Sequence, residues 1–366
     1  MRITLDGTPL LGRRTGIGTY VARLVDALPE AVARRGLDAR VDVTTWSLRG
    51  GRVEGLPPTV RQTGPRVPAR ALRAAWQRVD APAVELLVGR TDVVHGTNFV
   101  SPPTVRAREV VTVHDLAYVH LPATVSADSA RYRVLVPRAL RRGAHVLVPS
   151  GATGRAVREH YGLGADRVSV TPLGVDASWS SAVAAPAEVR DAMGVGDDYL
   201  LFVGSLEPRK NLPRLLRAHA ALRAQDPGTP VLVLAGPAGR DLHVREQAGV
   251  VRTGWLDDDT LRGLVAGARA VLLPSLDEGF GLPVLEAMAA GRPVLAGDVP
   301  ALREVGGRHA TYAAPTDVDA LADGLDRVLR TPDDAAARAS RQAWAAGFTW
   351  ARTADTTLDA YVRAAA

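Results

Sequence analysis

The chain has 366 residues, 46% of them apolar, which suits two domains of ordinary size, each with its own core. It contains no cysteine, which excludes a disulfide framework and thiolate metal sites. No apolar run approaches the roughly 20 residues needed to span a bilayer. Net charge is +6, supplied almost wholly by arginine, with Lys210 the single lysine. A basic surface suits anionic lipid or nucleic acid. Aromatic residues are only 5% and do not alternate with basic ones as base stacking requires, so nucleic acid is set aside.

Residues 2–6 form the first predicted strand and lack the apolar block of a signal peptide, so the expected location is the cytoplasm. Residues 15–35 have a helical pattern, with Ile17, Val21, Leu24, Val25 and Leu28 on one face. Residues 41–46 read as a second strand. The Gly/Pro/Arg-rich segment 50–70 reads as a long loop. Further strands are expected at 91–95, 109–113 and 144–148. Pro172 and Gly174 then open a break that runs to Pro186. A second alternating block has strands at 199–203, 230–234, 270–273 and 293–296, with helices between them and at 317–330. The tail, with Leu358, Tyr361 and Val362, is an amphipathic helix. Strands alternating with helices imply parallel sheets covered on both faces. The fold class is therefore α/β, with domains at 1–175 and 176–347 and a terminal helix at 348–366. A cleft between two such domains is a favoured ligand site, as are the carboxyl ends of the strands.

The most informative stretch is Asp277-Glu278-Gly279-Phe280-Gly281-Leu282-Pro283-Val284-Leu285-Glu286. It joins a buried strand to a small-residue helix. Pro283 suits the first helical turn, where its missing N–H would have no partner anyway. Strand, glycine turn and helix start aim free N–H groups at an anion, here around Gly281 and Leu282. Glu278 and Glu286 flank that turn. Beside a phosphate-binding helix start, a carboxylate is better suited to a cationic centre or to sugar hydroxyls.

Gly204-Ser205-Leu206-Glu207-Pro208-Arg209-Lys210-Asn211 follows another strand. Arg209 can fork two diphosphate oxygens while Lys210 acts as a mobile point charge; a solvated pair is the alternative. Gly16 and Gly18 form a glycine turn that opens the first helix. His114 and Asp115 end a strand of the first half, either as an acid–base pair or as a satisfied polar turn. His95 and Asn98 stand at the preceding strand end and are expected to face the cleft, with Asp115, on the acceptor side. Trp255 and Leu256 line a pocket or belong to the core. Asp257-Asp258-Asp259 invites a metal reading, but acids before a helix satisfy its free N–H groups, and that reading is preferred. The basic stretch 130–142 suits an anionic membrane, or is a solvated helix face interrupted by Pro137.

The Glu-Gly-Phe-Gly-Leu-Pro segment between two glutamates resembles the E-x7-E motif of retaining glycosyltransferases of the GT-B fold, family 4. The likeness extends along essentially the whole chain. It implies two Rossmann-like domains with a cleft between them and a C-terminal helix crossing back to the first domain. It also implies transfer of a hexose from a nucleotide diphosphate sugar to a hydroxyl acceptor, which would be a glycan, a lipid-linked acceptor or a small molecule. No permanent cofactor and no metal are implied. The overall likeness is to bacterial mannosyl- and rhamnosyl-transferases of polysaccharide biosynthesis. Glu278 resembles the acid that contacts the sugar, and His114 the histidine that contacts the transferred sugar. Glu286 resembles the acid on the ribose hydroxyls, and Gly16 a residue of the loop over the donor phosphate. Trp255 and Leu256 match the segment beside the nucleobase. Lys210 matches the family lysine. Ser205 replaces the family's first arginine, which Arg209 is expected to replace in function. The family's path is same-face attack, with the departing phosphate taking the acceptor proton. A sugar-nucleotide epimerase and a non-catalytic scaffold are the alternatives. A phosphorylase needs a pyridoxal-phosphate lysine, and the single lysine lies in the donor motif.

Overall fold

The computed structural model describes residues 1–48, 52–237 and 247–365. The chain divides into two compact units. Met1–His120, Ser126–Gly174 and Thr349–Ala366 form the first, and Leu121–Val125 with Val175–Phe348 form the second.

The first unit holds seven strands: β1 (Arg2–Asp6), β2 (Arg40–Thr44), β3 (Arg61–Thr63), β4 (Val93–Gly96), β5 (Arg108–Thr112), β6 (His145–Val148) and β7 (Val168–Val170). They pair in the order β3-β2-β1-β4-β5-β6-β7, and every pair is parallel. The two edge strands were not anticipated. β3 is the polar triplet Arg-Gln-Thr inside the expected loop 50–70, of which residues 50 and 51 lie outside the described residues. Neither edge strand is fully buried, so neither carries a continuous apolar run.

The helix Gly16–Arg34 buries Tyr20, Val21, Leu24, Val25 and Leu28. Ile17, on the expected face, is only half-buried because it lies at the helix start. The C-terminal helix, Trp350–Ala365, packs along this first helix and buries Leu358 and Tyr361. Each large apolar side chain taken fully out of water contributes about 1.5–3 kcal/mol. The Arg34–Asp355 pair at 3.0 Å and the Arg35–Asp359 pair lie on the rim of this contact. Being exposed, they add little.

One expectation about the basic stretch is corrected. The helix Tyr132–Arg141 runs straight through Pro137. Pro137 removes one helical hydrogen bond, and burial of Leu135, Val136 and Ala139 on the same helix offsets that loss.

The second unit holds β8 (Tyr199–Val203), β9 (Val231–Ala235), β10 (Val250–Gly254), β11 (Ala270–Leu273), β12 (Val294–Gly297) and β13 (Thr311–Ala313). Their order is β10-β9-β8-β11-β12-β13, again all parallel. Here too the unforeseen strands, β10 and β13, are the edges, and both are less buried than the central four. In each sheet the order reverses once, between β1 and β4 and between β8 and β11. At such a reversal the connections leave on opposite faces and open a crevice at the carboxyl ends.

Candidate functional site

The reversal in the second sheet places the segments after β8 and β11 side by side. The chain leaves β8 at Gly204, whose φ of 147° an L side chain rarely adopts. A Cβ on Gly236, just beyond β9, would lie 2.0 Å from the Gly204 carbonyl oxygen, so glycine is required for this close approach. A short turn, Pro208–Lys210, then presents two cations. Asn211 follows in the left-handed conformation, φ 62°. Its side-chain amide donates to the Pro274 carbonyl at 3.0 Å and the Pro315 carbonyl at 2.6 Å. This buried asparagine pins the basic turn to the end of β11. Asparagine tolerates that backbone better than most residues, and this was the only sequence signal for its role.

Both cations converge on Glu278. Lys210 Nζ donates to Oε1 at 2.6 Å, and Arg209 Nη1 donates to Oε2 at 3.0 Å. The same guanidinium nitrogen donates to the Asp277 carbonyl at 2.8 Å. The Ser275 hydroxyl, which was not anticipated, donates to Oε1 at 2.7 Å. Burial pushes the Glu278 carboxyl up, but the charges of Lys210 and Arg209 and these hydrogen bonds overcome it and hold the group at about 2. Glu278 is therefore a fixed anion at neutral pH.

Downstream, Gly281 caps the helix Leu282–Ala289 with φ 99°. A Cβ there would meet Leu302 Cδ2 at 2.4 Å. Pro283 stands in the first turn, as expected. Glu286 lies one turn on and is half-buried. Burial raises its carboxyl to about 8, helped by Asp176 and Asp258 and opposed by Arg262. The two motif glutamates thus sit in opposite environments, one held as an anion and the other favoured as a neutral acid.

Trp255 and Leu256 follow β10, and both are half-buried. Asp257 caps the helix Asp258–Gly267, its carboxylate accepting the Thr260 N–H at 2.9 Å. Among the described residues, no cluster of three or more His, Asp or Glu is arranged to hold a metal ion.

In the first unit, His114 follows β5 and is half-buried. Its Nε2 donates to the Thr97 carbonyl at 2.9 Å. A carbonyl only accepts, so Nε2 carries the proton and the neutral ring keeps Nδ1 as an acceptor. Burial depresses the ring's proton affinity, against the opposing effects of Thr97 and Asp115. The rings of Tyr20 and Phe99 meet the imidazole edge-on, each with centroids 5.3 Å away. Phe99 itself has φ 59°, a strained conformation for a bulky residue. The Thr97 hydroxyl donates to the Asp6 carbonyl at 2.5 Å, closing the crevice between the ends of β1 and β4. Tyr20 and Thr97 stand in segments singled out for Gly16 and Gly18 and for His95 and Asn98, but neither they nor Phe99 was assigned a role.

His95 is a correction. It does not face a cleft; it is fully buried. Its Nδ1 lies 2.6 Å from the Tyr361 hydroxyl and its Nε2 lies 2.7 Å from Thr112 Oγ1. Burial, with the nearby His114, depresses it to about 3, so it is a neutral core histidine. A strand end does not reveal that a terminal helix covers it. Asn98 is half-buried, with its side-chain oxygen lacking a hydrogen-bond partner among the described residues. Asp115 accepts the Ala117 N–H at 3.1 Å and so caps a short turn. Gly16 is exposed at the first position of its helix, whereas Gly18 is buried.

Two parallel-sheet units, each with polar side chains gathered at the reversal of its strand order, define a GT-B type glycosyltransferase fold. The comparisons agree with this. The family described as Glycosyltransferase Family 4 matches residues 14–179, and that described as Glycosyl transferases group 1 matches residues 197–331. The O-antigen chain mannosyltransferase B of Escherichia coli is 32% identical over 99% of this chain and 99% of its own. The structure of a sucrose-phosphate synthase from Thermosynechococcus elongatus superposes with a TM-score of 0.73 at 21% identity, covering 99% of this chain and 98% of its own. The Anabaena protein HepE, solved with UDP and glucose, gives a TM-score of 0.67 at 19% identity, covering 98% of both chains. The chain belongs to glycosyltransferase family 4 and is a glycosyltransferase.

Proposed function

We propose that the chain is a retaining hexosyltransferase that moves a hexose, mannose in the first instance, from a nucleotide diphosphate sugar to the hydroxyl of a growing surface glycan. The observation that carries this reading is the clamp of Arg209 and Lys210 on Glu278, beside the helix start at Gly281 and Leu282. Two fixed cations and a set of helix N–H groups suit a diphosphate leaving group, and they do the work that a magnesium ion does elsewhere. The reaction is therefore read as metal-independent. Glu278, an anion within the clamp, contacts the sugar hydroxyls and tempers positive charge at the reacting carbon. Glu286 holds the ribose hydroxyls, Trp255 and Leu256 flank the nucleobase, and Gly16 lies in the loop over the donor phosphate. His114 contacts the transferred sugar through its acceptor nitrogen. The acceptor oxygen attacks from the face the phosphate leaves, and the departing phosphate takes its proton, so no protein base is assigned. The near full-length likeness to an O-antigen mannosyltransferase favours mannose and a glycan acceptor.

The test is a panel of nucleotide diphosphate sugars, GDP-mannose first, against hydroxyl acceptors, with NMR of the product anomeric centre. Transfer with retained configuration is expected. Inverted product, or conversion of the sugar nucleotide without transfer, would overturn the reading.

A further inference from the structure

The buried polar residues of the first unit are not scattered. His95 on β4 links the hydroxyl of Tyr361, on the C-terminal helix, to the hydroxyl of Thr112 at the end of β5, at 2.6 and 2.7 Å. Thr112 Oγ1 also lies 3.0 Å from the hydroxyl of Tyr20, on the helix Gly16–Arg34. All four residues are essentially inaccessible to water. The Tyr20 ring then meets the His114 imidazole edge-on at 5.3 Å. Thr112 acts twice, because its backbone carbonyl accepts the Phe99 N–H at 2.9 Å and so holds the left-handed turn whose ring flanks His114 from another side.

An apolar core would serve the same fold more cheaply, because a buried polar group deprived of its partner costs about 1–3 kcal/mol. Polar networks of this kind fix orientation, since a hydroxyl–imidazole contact has one geometry where a methyl contact has many. This one ends at the Tyr20 hydroxyl, and the Tyr20 ring packs edge-on against a histidine whose ring plane decides where its acceptor nitrogen points.

We propose that Tyr361 is a positioning residue for His114, acting through the chain Tyr361–His95–Thr112–Tyr20. The C-terminal helix thereby sets the angle at which His114 presents Nδ1, besides covering the sheet. This rests on the reading of His114 as a contact of the transferred sugar.

The test uses Tyr361→Phe, Thr112→Val and Thr112→Ser in the intact chain. Histidine ring 15N–1H NMR of the ligand-free protein, assigned for His114 by its loss in His114→Ala, reports orientation and tautomer without any substrate. Transfer kinetics with GDP-mannose report function. Tyr361→Phe and Thr112→Val are expected to shift the His114 ring resonances and to lower kcat three- to tenfold with donor KM within twofold. Thr112→Ser, which keeps the hydroxyl, should behave as the parent. Unchanged His114 resonances in both Tyr361→Phe and Thr112→Val would overturn the proposal, as would a Thr112→Ser protein as altered as Thr112→Val. Full turnover in His114→Ala would instead remove the sugar-contact reading, while the resonance shifts would still decide whether the chain positions the ring.

Discussion

Lys210 Nζ lies 2.6 Å from Glu278 Oε1, across 68 residues of sequence. The strand order brings them together, because β8 and β11 are neighbours at the reversal and each residue follows one of those strands. The pair makes a specific prediction. Glu278→Gln keeps the shape and removes the charge, so donor binding should persist, held by Arg209, Lys210 and the helix start. Turnover should fall at least tenfold, about 1.4 kcal/mol of transition-state stabilisation. Calorimetric donor Kd and kcat measured on the same preparation check this, and parental turnover with the correct acceptor would remove Glu278 from the chemistry.

The two motif glutamates should titrate with opposite signs. Glu278 is held at about 2, below its ordinary 4.5, so its contribution to stability is full above pH 4.5 and is lost as pH falls toward 2. Glu286 is raised to about 8, so its protonated form is favoured in the fold, and that contribution is full below pH 4.5 and is lost as pH rises through about 8. Glu286→Gln should therefore melt increasingly above the parent between about pH 4.5 and 8, with the gap constant above that. Glu278→Gln should melt below the parent at neutral pH, with the gap closing as the pH drops below about 4.5. Thermal denaturation across pH checks both slopes, and parallel melting curves for Glu286→Gln and parent would refute the second.

His95 and His114 separate stability from function. His95→Ala leaves a cavity and strands the hydroxyls of Tyr361 and Thr112, so it should destabilise the fold by about 3 kcal/mol or more. His114→Ala loses one hydrogen bond and two edge-on ring contacts at a half-buried position, about 2 kcal/mol, yet should lose most of its transfer activity. Urea titration beside the transfer assay distinguishes them. An equally unstable His114→Ala would make that histidine structural as well.

The sequence made the architecture legible because central parallel strands are buried and rich in apolar residues, and the nine central strands of the two sheets (β1, β2, β4, β5, β6, β8, β9, β11 and β12) all carried that signal. The strands it missed, β3, β7, β10 and β13, are edges, half in water, with no pattern to detect. The candidate site was legible where backbone chemistry demanded particular residues, as at Gly281, Pro283 and the Arg209-Lys210 turn. That both cations bind Glu278 was not, because pairing depends on strand order and not on spacing. His95 was misplaced for a related reason. Its burial comes from Tyr361, 266 residues away, on a helix whose own pattern says only that one face is covered.

Metal independence has a direct test. The acids that invite a metal reading, Asp257 to Asp259, start a helix, and Asp257 is committed to the Thr260 N–H and hydroxyl at 2.9 and 2.8 Å. Transfer activity should survive excess EDTA with less than a twofold loss. Complete loss restored by magnesium or manganese would return those carboxylates to consideration. Lys210→Ala, by contrast, should raise donor KM at least tenfold, because it removes one of the two cations proposed to hold the diphosphate.

The basic stretch 130–142 bears on membrane docking. It carries five arginines. Arg133 donates to the Tyr118 carbonyl at 2.6 Å, Arg138 pairs with Asp80 at 2.9 Å, and Arg142 is shared between Asp80 and Glu109. Arg131, loosely paired with Asp128 at 3.9 Å, Arg133, whose carbonyl partner leaves its charge in place, and Arg141 are the exposed arginines left for an anionic surface. Each is worth on the order of 1 kcal/mol near such a surface, and three together hold a protein only weakly at physiological salt. The helix also buries Leu135, Val136 and Ala139 inward, which leaves Val134 as its exposed apolar contact. Sedimentation with anionic vesicles at low salt should therefore exceed that with neutral vesicles by no more than threefold, and Arg131→Glu with Arg141→Glu should leave it unchanged. Strong, salt-sensitive binding abolished by those two substitutions would instead make this helix a docking surface and point to a lipid-linked acceptor.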